Sequence, residues 1–237
     1  KTPGHPERDL EHGIENTSGP LGQGHVYGVG AAIAESFLRA RFGDWMMHNT
    51  YCFISDGGIQ EEVSQGAGRI AGYLGLGHLI MFYDSNHVQL STKTSSVTQE
   101  DTQKKYEASG WQVFTNDSNE QAPIKDDLTT AKAEHKRPTL IIGDTTMGKG
   151  AVTDSNEGFE DQVSMHGQPV SKAGGSYEKT IEHLGGDPEN PFSIPQQVTQ
   201  LYEESRKRKQ QVFEQRKQTE QNWRNGNPDK AKQLDKN

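Results

Sequence analysis

The sequence has 237 residues, enough for one large domain or two small ones whose core needs no disulfide or structural metal. Acidic residues outnumber basic ones by 33 to 25, and the net charge of -8 argues against a general nucleic-acid binder. No run approaches the ~20 apolar residues needed to cross a bilayer, and no signal segment opens the chain, so we expect no membrane partner.

Cys52 is the only cysteine in the sequence and lies in a short apolar run. A single cysteine cannot form an internal disulfide, and this position favours a small buried thiol over a nucleophile. We therefore expect a reducing, cytoplasmic location. The sequence opens without a methionine, in what reads as a loop, which predicts that the chain is a piece of a longer protein.

Apolar residues recur in alternating helical and strand patterns along most of the chain. Helical spacing predicts a first helix over 25–42, and a continuous apolar run predicts a buried strand over 51–55. The alternation continues with a helix over 59–74, a strand over 78–83, a helix over 99–108, a strand over 111–115, a helix over 122–135 and a strand over 139–143. Strands and helices that alternate in this way predict an α/β fold with a mainly parallel sheet and helices on both faces.

The last third of the chain contains long loops and a charged helix. A Gly-rich loop over 147–175 is too long for a simple connector and is a candidate site loop. A short helix is expected over 177–184, and a charged helix over 194–223. Its basic run, Arg206-Lys-Arg-Lys209, is interleaved with glutamates, which favours a solvated or interdomain helix over a nucleic-acid site. We expect residues 1–192 to form one domain and residues 193–237 to form a charged helical linker.

Oxygen-bearing side chains follow two of the predicted strands. Asp56 follows the first strand and Asn86 follows the second, and the carboxyl ends of parallel strands meet at one edge of a sheet, where ligands bind. With the backbone carbonyl of Val88, these side chains could hold Mg²⁺ and leave it open to phosphate oxygens. Gly57 and Gly58 would let the backbone approach those phosphates. On the pattern alone, ordinary turn residues after strands are the favoured interpretation.

A nicotinamide dinucleotide is the competing ligand for such a sheet edge. The motif that binds it, Gly-x-Gly-x-x-Gly after a strand, does not occur here. The run Gly19-Pro-Leu-Gly-Gln-Gly24 has a different order and follows no predicted strand.

Several segments of the chain match known sequence motifs. Asp56-Gly57 through Asn86 resembles the thiamine diphosphate motif, which begins with Gly-Asp-Gly and ends with Asn, although Ser55 replaces the first glycine. More specific matches are Gly4-His-Pro-Glu7, Thr17-Ser-Gly-Pro-Leu-Gly-Gln-Gly24, Tyr106-Glu-Ala-Ser-Gly-Trp-Gln-Val113, Thr146-Met-Gly-Lys-Gly150 and Ser164-Met-His-Gly-Gln-Pro169. In this order and spacing, the motifs resemble those of the transketolase family. The resemblance extends from the first residues to about Pro195.

The resemblance implies a thiamine diphosphate site with a bound Mg²⁺ or Ca²⁺ ion. It assigns the metal to Asp56, Asn86 and the carbonyl of Val88, and the diphosphate to Gly57 and Asn86. Asp144 stands where many relatives have a lysine, which puts a negative charge near the expected phosphate site.

The resemblance also implies roles at the other end of the cofactor. Gly19 and Leu21 would lie against the aminopyrimidine, and Glu61 would match a glutamate near the subunit interface. His5 would face the first carbons of a ketose, and His166 would reach the cofactor phosphate and the reacting centre, where imidazoles suit proton transfer near neutral pH. Judged without the family, His5 is a terminal residue and His166 a surface-loop histidine.

The implied activity is transfer of a two-carbon ketol unit from a ketose phosphate to an aldose phosphate in the pentose phosphate pathway. The cofactor carries the difficult step, and the protein orients it. The family adds a pyrimidine-binding domain and works as a homodimer, so this chain alone is expected to be inactive. The alternatives are another thiamine diphosphate enzyme, such as a deoxyxylulose-phosphate synthase or a two-chain dehydrogenase component, and a non-catalytic cofactor-binding module.

Overall fold

The computed structural model of the chain describes residues 5–236. The strands are β1 Thr50–Ser55, β2 Leu79–Ser85, β3 Val88–Gln89, β4 Thr92–Lys93, β5 Gln112–Asp117 and β6 Thr139–Asp144. The α-helices are α1 Gln23–Phe42, α2 Asp56–Gln60, α3 Glu62–Leu74, α4 Thr102–Ala108, α5 Gln121–Ala133, α6 Val170–Ala173, α7 Tyr177–His183, α8 Gln196–Gly226 and α9 Pro228–Leu234. Within the described residues, no helix is both long and apolar enough to span a membrane.

Four strands form a parallel sheet in the order β1-β2-β6-β5, which confirms the predicted fold class. In the register of this sheet, Ser55 lies beside Asp84, and Asp84 lies beside Gly143. The carboxyl ends of β1, β2 and β6 therefore meet at one edge. The segments that follow these three strands contain the candidate site residues: Asp56 begins α2, and Asn86 and His166 lie in loops.

Each face of the sheet packs against helices through alternate residues of the same strands. On β2, Met81 and Tyr83 belong to the larger apolar cluster, whereas Ile80 belongs to the smaller one. The larger cluster includes residues of α1, α3 and α4, and the smaller one includes Ala131 of α5. The central strands are thus buried on both faces, as their continuous apolar runs predicted. The prediction that β1 is buried on both faces is wrong, because β1 is an edge strand on which Tyr51 is 50% exposed and Phe53 is 80% exposed.

The structure corrects several predicted boundaries. The helix expected over 59–74 is two helices, because Glu61 has an extended backbone (φ -65°, ψ 136°) between α2 and α3. The helix expected over 99–108 begins only at Thr102, where the Asp101 side chain accepts a hydrogen bond from the backbone of Lys104 at 3.0 Å and caps the helix. The antiparallel pair β3–β4 was not predicted, since strands of two residues carry no readable periodicity.

The chain divides into two compact units. The first comprises Lys1–Ala34 and His48–Thr180 and contains the sheet, and the second comprises Glu35–Met47 and Ile181–Asn237. Inside the second unit, the ring of Trp223 on α8 lies 5.0 Å from that of Trp45 and 6.0 Å from that of Phe42.

Candidate functional site

The ends of β1 and β2 carry the two predicted oxygen ligands. Asp56 begins α2 directly after β1, and the hydroxyl of Ser55 caps this helix by accepting a 3.3 Å hydrogen bond from the backbone of Gly58. The backbone N–H of Asn86 donates a 3.0 Å hydrogen bond to Oδ2 of Asp56. The structure therefore brings the two residues together, as the strand-end argument predicted.

Asp56 is a buried carboxylate, only 2% exposed. Its Oδ1 accepts a 2.6 Å hydrogen bond from the hydroxyl of Tyr83 on β2. Burial raises the pKa of Asp56 above its ordinary value, and the hydrogen bonds from Tyr83 and Asn86 act in the opposite direction. A buried carboxylate favours a site in which a cation can balance its charge.

The remaining oxygen donors come from the segment that follows Asn86. Oδ1 of Asn86 accepts a 3.1 Å hydrogen bond from the backbone of Val88, which fixes the amide orientation. The β3 strand is in turn attached to α2, since the Gln60 side chain donates to Gln89 Oε1 at 2.8 Å. Within residues 5–236, no three His, Cys, Asp or Glu side chains gather at a metal-binding distance. A metal here would use one carboxylate, one amide oxygen, backbone carbonyls and ligand oxygens, a donor set that fits a hard divalent cation.

The turn before α1 lies against the same strand end. A β carbon on Gly57 would meet the side chain of Leu21 at 3.2 Å, and one on Gly19 would meet the ring of His5 at 3.6 Å. His5, Gly19, Leu21, Ser55 and others line a cavity of about 160 Å³. The structure thus brings together the residues expected at the aminopyrimidine end, and it adds His5 to the same wall.

The position of this turn is fixed by a glycine. Gly22 has φ +80°, and a β carbon there would meet Val63 Cγ1 at 2.7 Å, Ser64 Oγ at 2.9 Å and Cβ of Glu61 at 3.0 Å. The backbone of the turn therefore packs directly on the start of α3, beside the break at Glu61.

His166 lies in the long loop after β6. This region is largely irregular, as predicted, since only two short helical turns occur among the described residues between β6 and α7. The loop starts at the same sheet edge, since the backbone of Thr145 donates to the carbonyl of Ser85 at 3.2 Å. Nδ1 of His166 is buried and has no hydrogen-bond partner among the described residues. A buried ring nitrogen without a partner is costly, which suits a group that binds a ligand. No recorded hydrogen bond joins His166 to Asp56 in the part of the chain that the structure describes.

His87 is a further histidine beside the site, and it was not identified from the sequence. His87 follows Asn86 in a left-handed backbone conformation (φ +62°), and its Nε2 lies 2.9 Å from Oδ1 of Asp144. The negative charge expected near the phosphate site therefore has a hydrogen-bonding imidazole beside it. The two residues are 57 positions apart, and no local pattern links them.

A buried histidine lies in the first turn of α1. His25, at 1% exposure, has its Nε2 3.3 Å from the hydroxyl of Tyr106, and burial lowers its pKa to about 4. Nearby, Sγ of Cys52 donates to the carbonyl of Gly24 at 3.2 Å, and burial raises the pKa of this thiol to about 11. Cys52 is thus the buried thiol that the sequence predicted.

Comparison with known proteins places these features in a family. The family model described as "Transketolase, thiamine diphosphate binding domain" matches residues 1–237. Transketolase 2 of Xanthobacter flavus is 38% identical over 211 residues, which cover 87% of this chain and 30% of that protein. Transketolase 1 of Vibrio cholerae is 40% identical over 203 residues, which cover 84% of this chain and 29% of that protein.

Solved structures give the same result. The transketolase of Leishmania mexicana matches with a TM-score of 0.86 and 29% identity, over 97% of this chain and 34% of that one. The transketolase of Pichia stipitis in complex with sedoheptulose 7-phosphate matches with a TM-score of 0.80 and 29% identity, over 90% and 31% of the two chains. The present chain spans about 30% of the length of the curated relatives it matches. It belongs to the transketolase family and corresponds to the thiamine diphosphate binding domain of that family.

Proposed function

We propose that this chain is the diphosphate-binding part of a transketolase, an enzyme that transfers a two-carbon ketol unit from a ketose phosphate to an aldose phosphate. The observation that carries the proposal is the 3.0 Å hydrogen bond from Asn86 to the buried carboxylate of Asp56, at adjacent strand ends in a member of this family. When bound, thiamine diphosphate supplies the C2 nucleophile that such a transfer requires.

The phosphate end of the site would be built from the two strand ends. Asp56, the side-chain oxygen of Asn86 and the carbonyl of Val88 would hold Mg²⁺ or Ca²⁺, and Asn86 and the backbone of Gly57 would contact the diphosphate. The burial of Asp56 supports this assignment, because a bound divalent ion would compensate a carboxylate that water does not reach.

The other end of the site would orient the cofactor and the sugar. Gly19 and Leu21 would pack against the aminopyrimidine, with His5 on the same wall facing the first carbons of the ketose. His166 would donate a hydrogen bond to a phosphate oxygen or move a proton at the reacting centre, and its unpartnered Nδ1 supports this role. Glu61 would lie near the interface with a second subunit.

The assembly would extend beyond the present residues. We assign residues 1–192 to a partial phosphate-binding domain and residues 193–237 to a charged linker that leads to a pyrimidine-binding domain. Sugar phosphates are the proposed substrates, and the sedoheptulose 7-phosphate in the Pichia stipitis complex supports that class. The working form would be a homodimer in the cytoplasm, where a buried reduced Cys52 is stable, and the reaction would belong to the pentose phosphate pathway.

The direct test is calorimetric titration of the purified chain with thiamine diphosphate in the presence of Mg²⁺, Ca²⁺ or EDTA. We expect saturable binding that requires a divalent ion. Asp56→Asn should abolish it, because the uncharged amide cannot replace the carboxylate at the metal. Asp101→Asn is the matched control, since an asparagine there can still cap α4.

Two results would contradict the site assignment. One is cofactor affinity that is unchanged in Asp56→Asn, and the other is an equal loss in Asp101→Asn. Circular dichroism of both variants would establish that each is folded.

A further inference from the structure

The N-terminal half of α8 presents an apolar surface to solvent. The exposed fractions are 65% for Leu201, 72% for Tyr202, 51% for Val212 and 50% for Phe213. Together with Ile194 and Val198, most of these residues line an open, shallow surface between side chains, and all of its lining residues come from residues 194–213. We call this surface the α8 groove. Residues spaced by three, four, seven and eleven positions lie on one side of a helix, so these side chains form a continuous stripe.

The same side of α8 is already used for packing in its C-terminal half. Trp223 lies 18 residues after Ser205 of the groove, which is five full turns and therefore the same side of the helix. The ring of Trp223 packs on Trp45, and Arg216 donates to the carbonyl of Met47 at 3.4 Å. Within the described residues of this unit, one side of the helix thus has partners on other segments at its C-terminal end, whereas at the N-terminal end the recorded contacts are within α8 itself, such as Lys217 over the ring of Phe213 at 4.7 Å.

The groove is basic although the whole chain is acidic. Arg206, Arg208 and Lys209 line it, and Glu203 is the single carboxylate among its lining residues. Among residues 5–236, no ion pair is recorded for these three bases, whereas Arg224 further along α8 pairs with Glu220 and Asp235. The occupant that complements this surface is apolar along one stripe and acidic beside it.

A second copy of the chain does not complement the groove. The basic residues 206–209 lie midway between the apolar pairs Leu201–Tyr202 and Val212–Phe213. An antiparallel copy that matched these pairs would place the two basic segments against each other, and a parallel in-register copy would do the same. Like charges at this spacing oppose association.

A lipid surface fits less well than a protein. Lys209 lies seven residues after Tyr202 and three before Val212, and so within the apolar stripe and not at its border. Insertion into hydrocarbon would bury this ammonium group without a counter-charge, whereas a protein partner can offer a carboxylate.

We propose that the α8 groove docks an acidic amphipathic helix of another polypeptide. From Val198 to Phe213 the stripe is ~22 Å long at 1.5 Å per residue, which matches about four turns of a partner helix. Its apolar residues would fit between the Leu201–Tyr202 and Val212–Phe213 pairs, with a glutamate or aspartate on Lys209 and others towards Arg206 and Arg208. This mode of helix-in-groove binding is independent of the cofactor site.

The test uses the purified 237-residue chain and a designed, fluorescently labelled helical peptide. The peptide has about 16 residues, with leucines along one side and glutamates beside them, and its control has lysines in place of the glutamates. Fluorescence anisotropy should show saturable binding of the glutamate peptide that weakens with salt, and at least tenfold weaker binding of the lysine peptide. Lys209→Glu should weaken the glutamate peptide about tenfold and improve the lysine peptide.

Lys207→Glu is the matched control, because Lys207 belongs to the same basic run but does not line the groove. We expect it to change the affinity less than twofold. The proposal is overturned by the absence of saturable binding, by equal effects of the two substitutions, or by tighter binding to phosphatidylserine vesicles that Lys209→Glu removes. Analytical sedimentation provides a further check. If the chain forms concentration-dependent dimers and Leu201→Asp dissociates them, the surface is a self-association site and the proposal is wrong.

Discussion

The hydroxyl of Tyr83 and the carboxylate of Asp56 form a buried hydrogen bond of 2.6 Å. Tyr83 is 7% exposed and Asp56 is 2% exposed, so little water competes for either group. The bond joins the end of β2 to the start of α2 and orients the carboxylate before any ligand arrives. Such prior orientation reduces the ordering cost of binding.

Tyr83→Phe removes this donor and leaves the buried Oδ1 with one partner fewer. We expect the free energy of unfolding to fall by about 1–3 kcal/mol in EDTA. The loss should be smaller with Mg²⁺ and thiamine diphosphate, since a bound cation would then compensate the carboxylate. Chemical denaturation measured under both conditions checks this. Tyr27→Phe, which affects an exposed hydroxyl that accepts a hydrogen bond from Gln23, is the control and should cost under about 0.5 kcal/mol.

Gly22→Ala should distort the turn that precedes α1. The substitution places a side chain at φ +80° and within 3.0 Å of Val63, Ser64 and Glu61. We expect a loss of about 2–4 kcal/mol of stability, from the left-handed backbone and the overlap together. Gly30→Ala is the opposite control, because Gly30 lies in α1 with open space around it and should gain about 0.5–1 kcal/mol. Thermal unfolding of both variants decides the matter, and equal Tm changes would refute the packing argument.

The features that sequence predicted well are those with a regular pattern. The apolar runs of β2 and β6 correctly predicted segments that are buried on both faces, whereas the similar run of β1 did not, because Tyr51 and Phe53 of this edge strand are 50% and 80% exposed. Parallel strand ends then predicted that Asp56 and Asn86 are neighbours. Neither step required knowledge of distant contacts.

The features that sequence missed depend on contacts between distant positions. Tyr83 continues an apolar strand, and nothing in its neighbours distinguishes a hydroxyl that reaches Asp56 from an ordinary core tyrosine. The break at Glu61 interrupts a helical spacing that remains nearly intact across it. His87 and Asp144 meet only because β2 and β6 are adjacent in the sheet.

The buried imidazole of His25 predicts acid sensitivity. Its pKa falls from about 6.5 to about 4 on folding, so between these values the unfolded chain binds the extra proton and the folded chain does not. The free energy of unfolding is therefore unaffected by His25 titration above pH 6.5 and decreases progressively as the pH falls towards 4. The total decrease is up to roughly 3 kcal/mol, at 1.36 kcal/mol per pKa unit.

His25→Leu should remove this slope. The measurement is urea denaturation of the wild-type and variant chains at several pH values between about 4 and 7.5. Subtracting one free energy of unfolding from the other at each pH cancels the titration of the other groups. Identical pH dependence in both chains would show that His25 is solvated in the folded state.

His5 and His166 should differ in what they do for the enzyme. His5→Ala in the complete enzyme should lower kcat far more than it lowers cofactor affinity, because His5 is proposed to face the sugar. His166→Ala should lower both, because it is proposed to reach the cofactor as well. The loss of one positioned proton-transfer group costs about 10²–10⁴-fold in rate. Steady-state kinetics beside cofactor titration separates the effects, and normal turnover of His5→Ala would show that its assignment is wrong.

The chain of these 237 residues should bind the cofactor without catalysing ketol transfer. The family resemblance assigns the carboxylate that assists proton loss from the cofactor to a pyrimidine-binding domain of a partner subunit. Within this chain, Asp56 is proposed to face the metal and Glu61 the interface, which leaves no assigned base. The assay is aldose-phosphate release from xylulose 5-phosphate and ribose 5-phosphate, run on the chain alone and again with a polypeptide that carries the second domain. Activity should appear only in the mixture. Turnover by the chain alone, with its mass verified, would require a base from within it, and Glu61→Gln and Glu62→Gln would then identify which carboxylate acts.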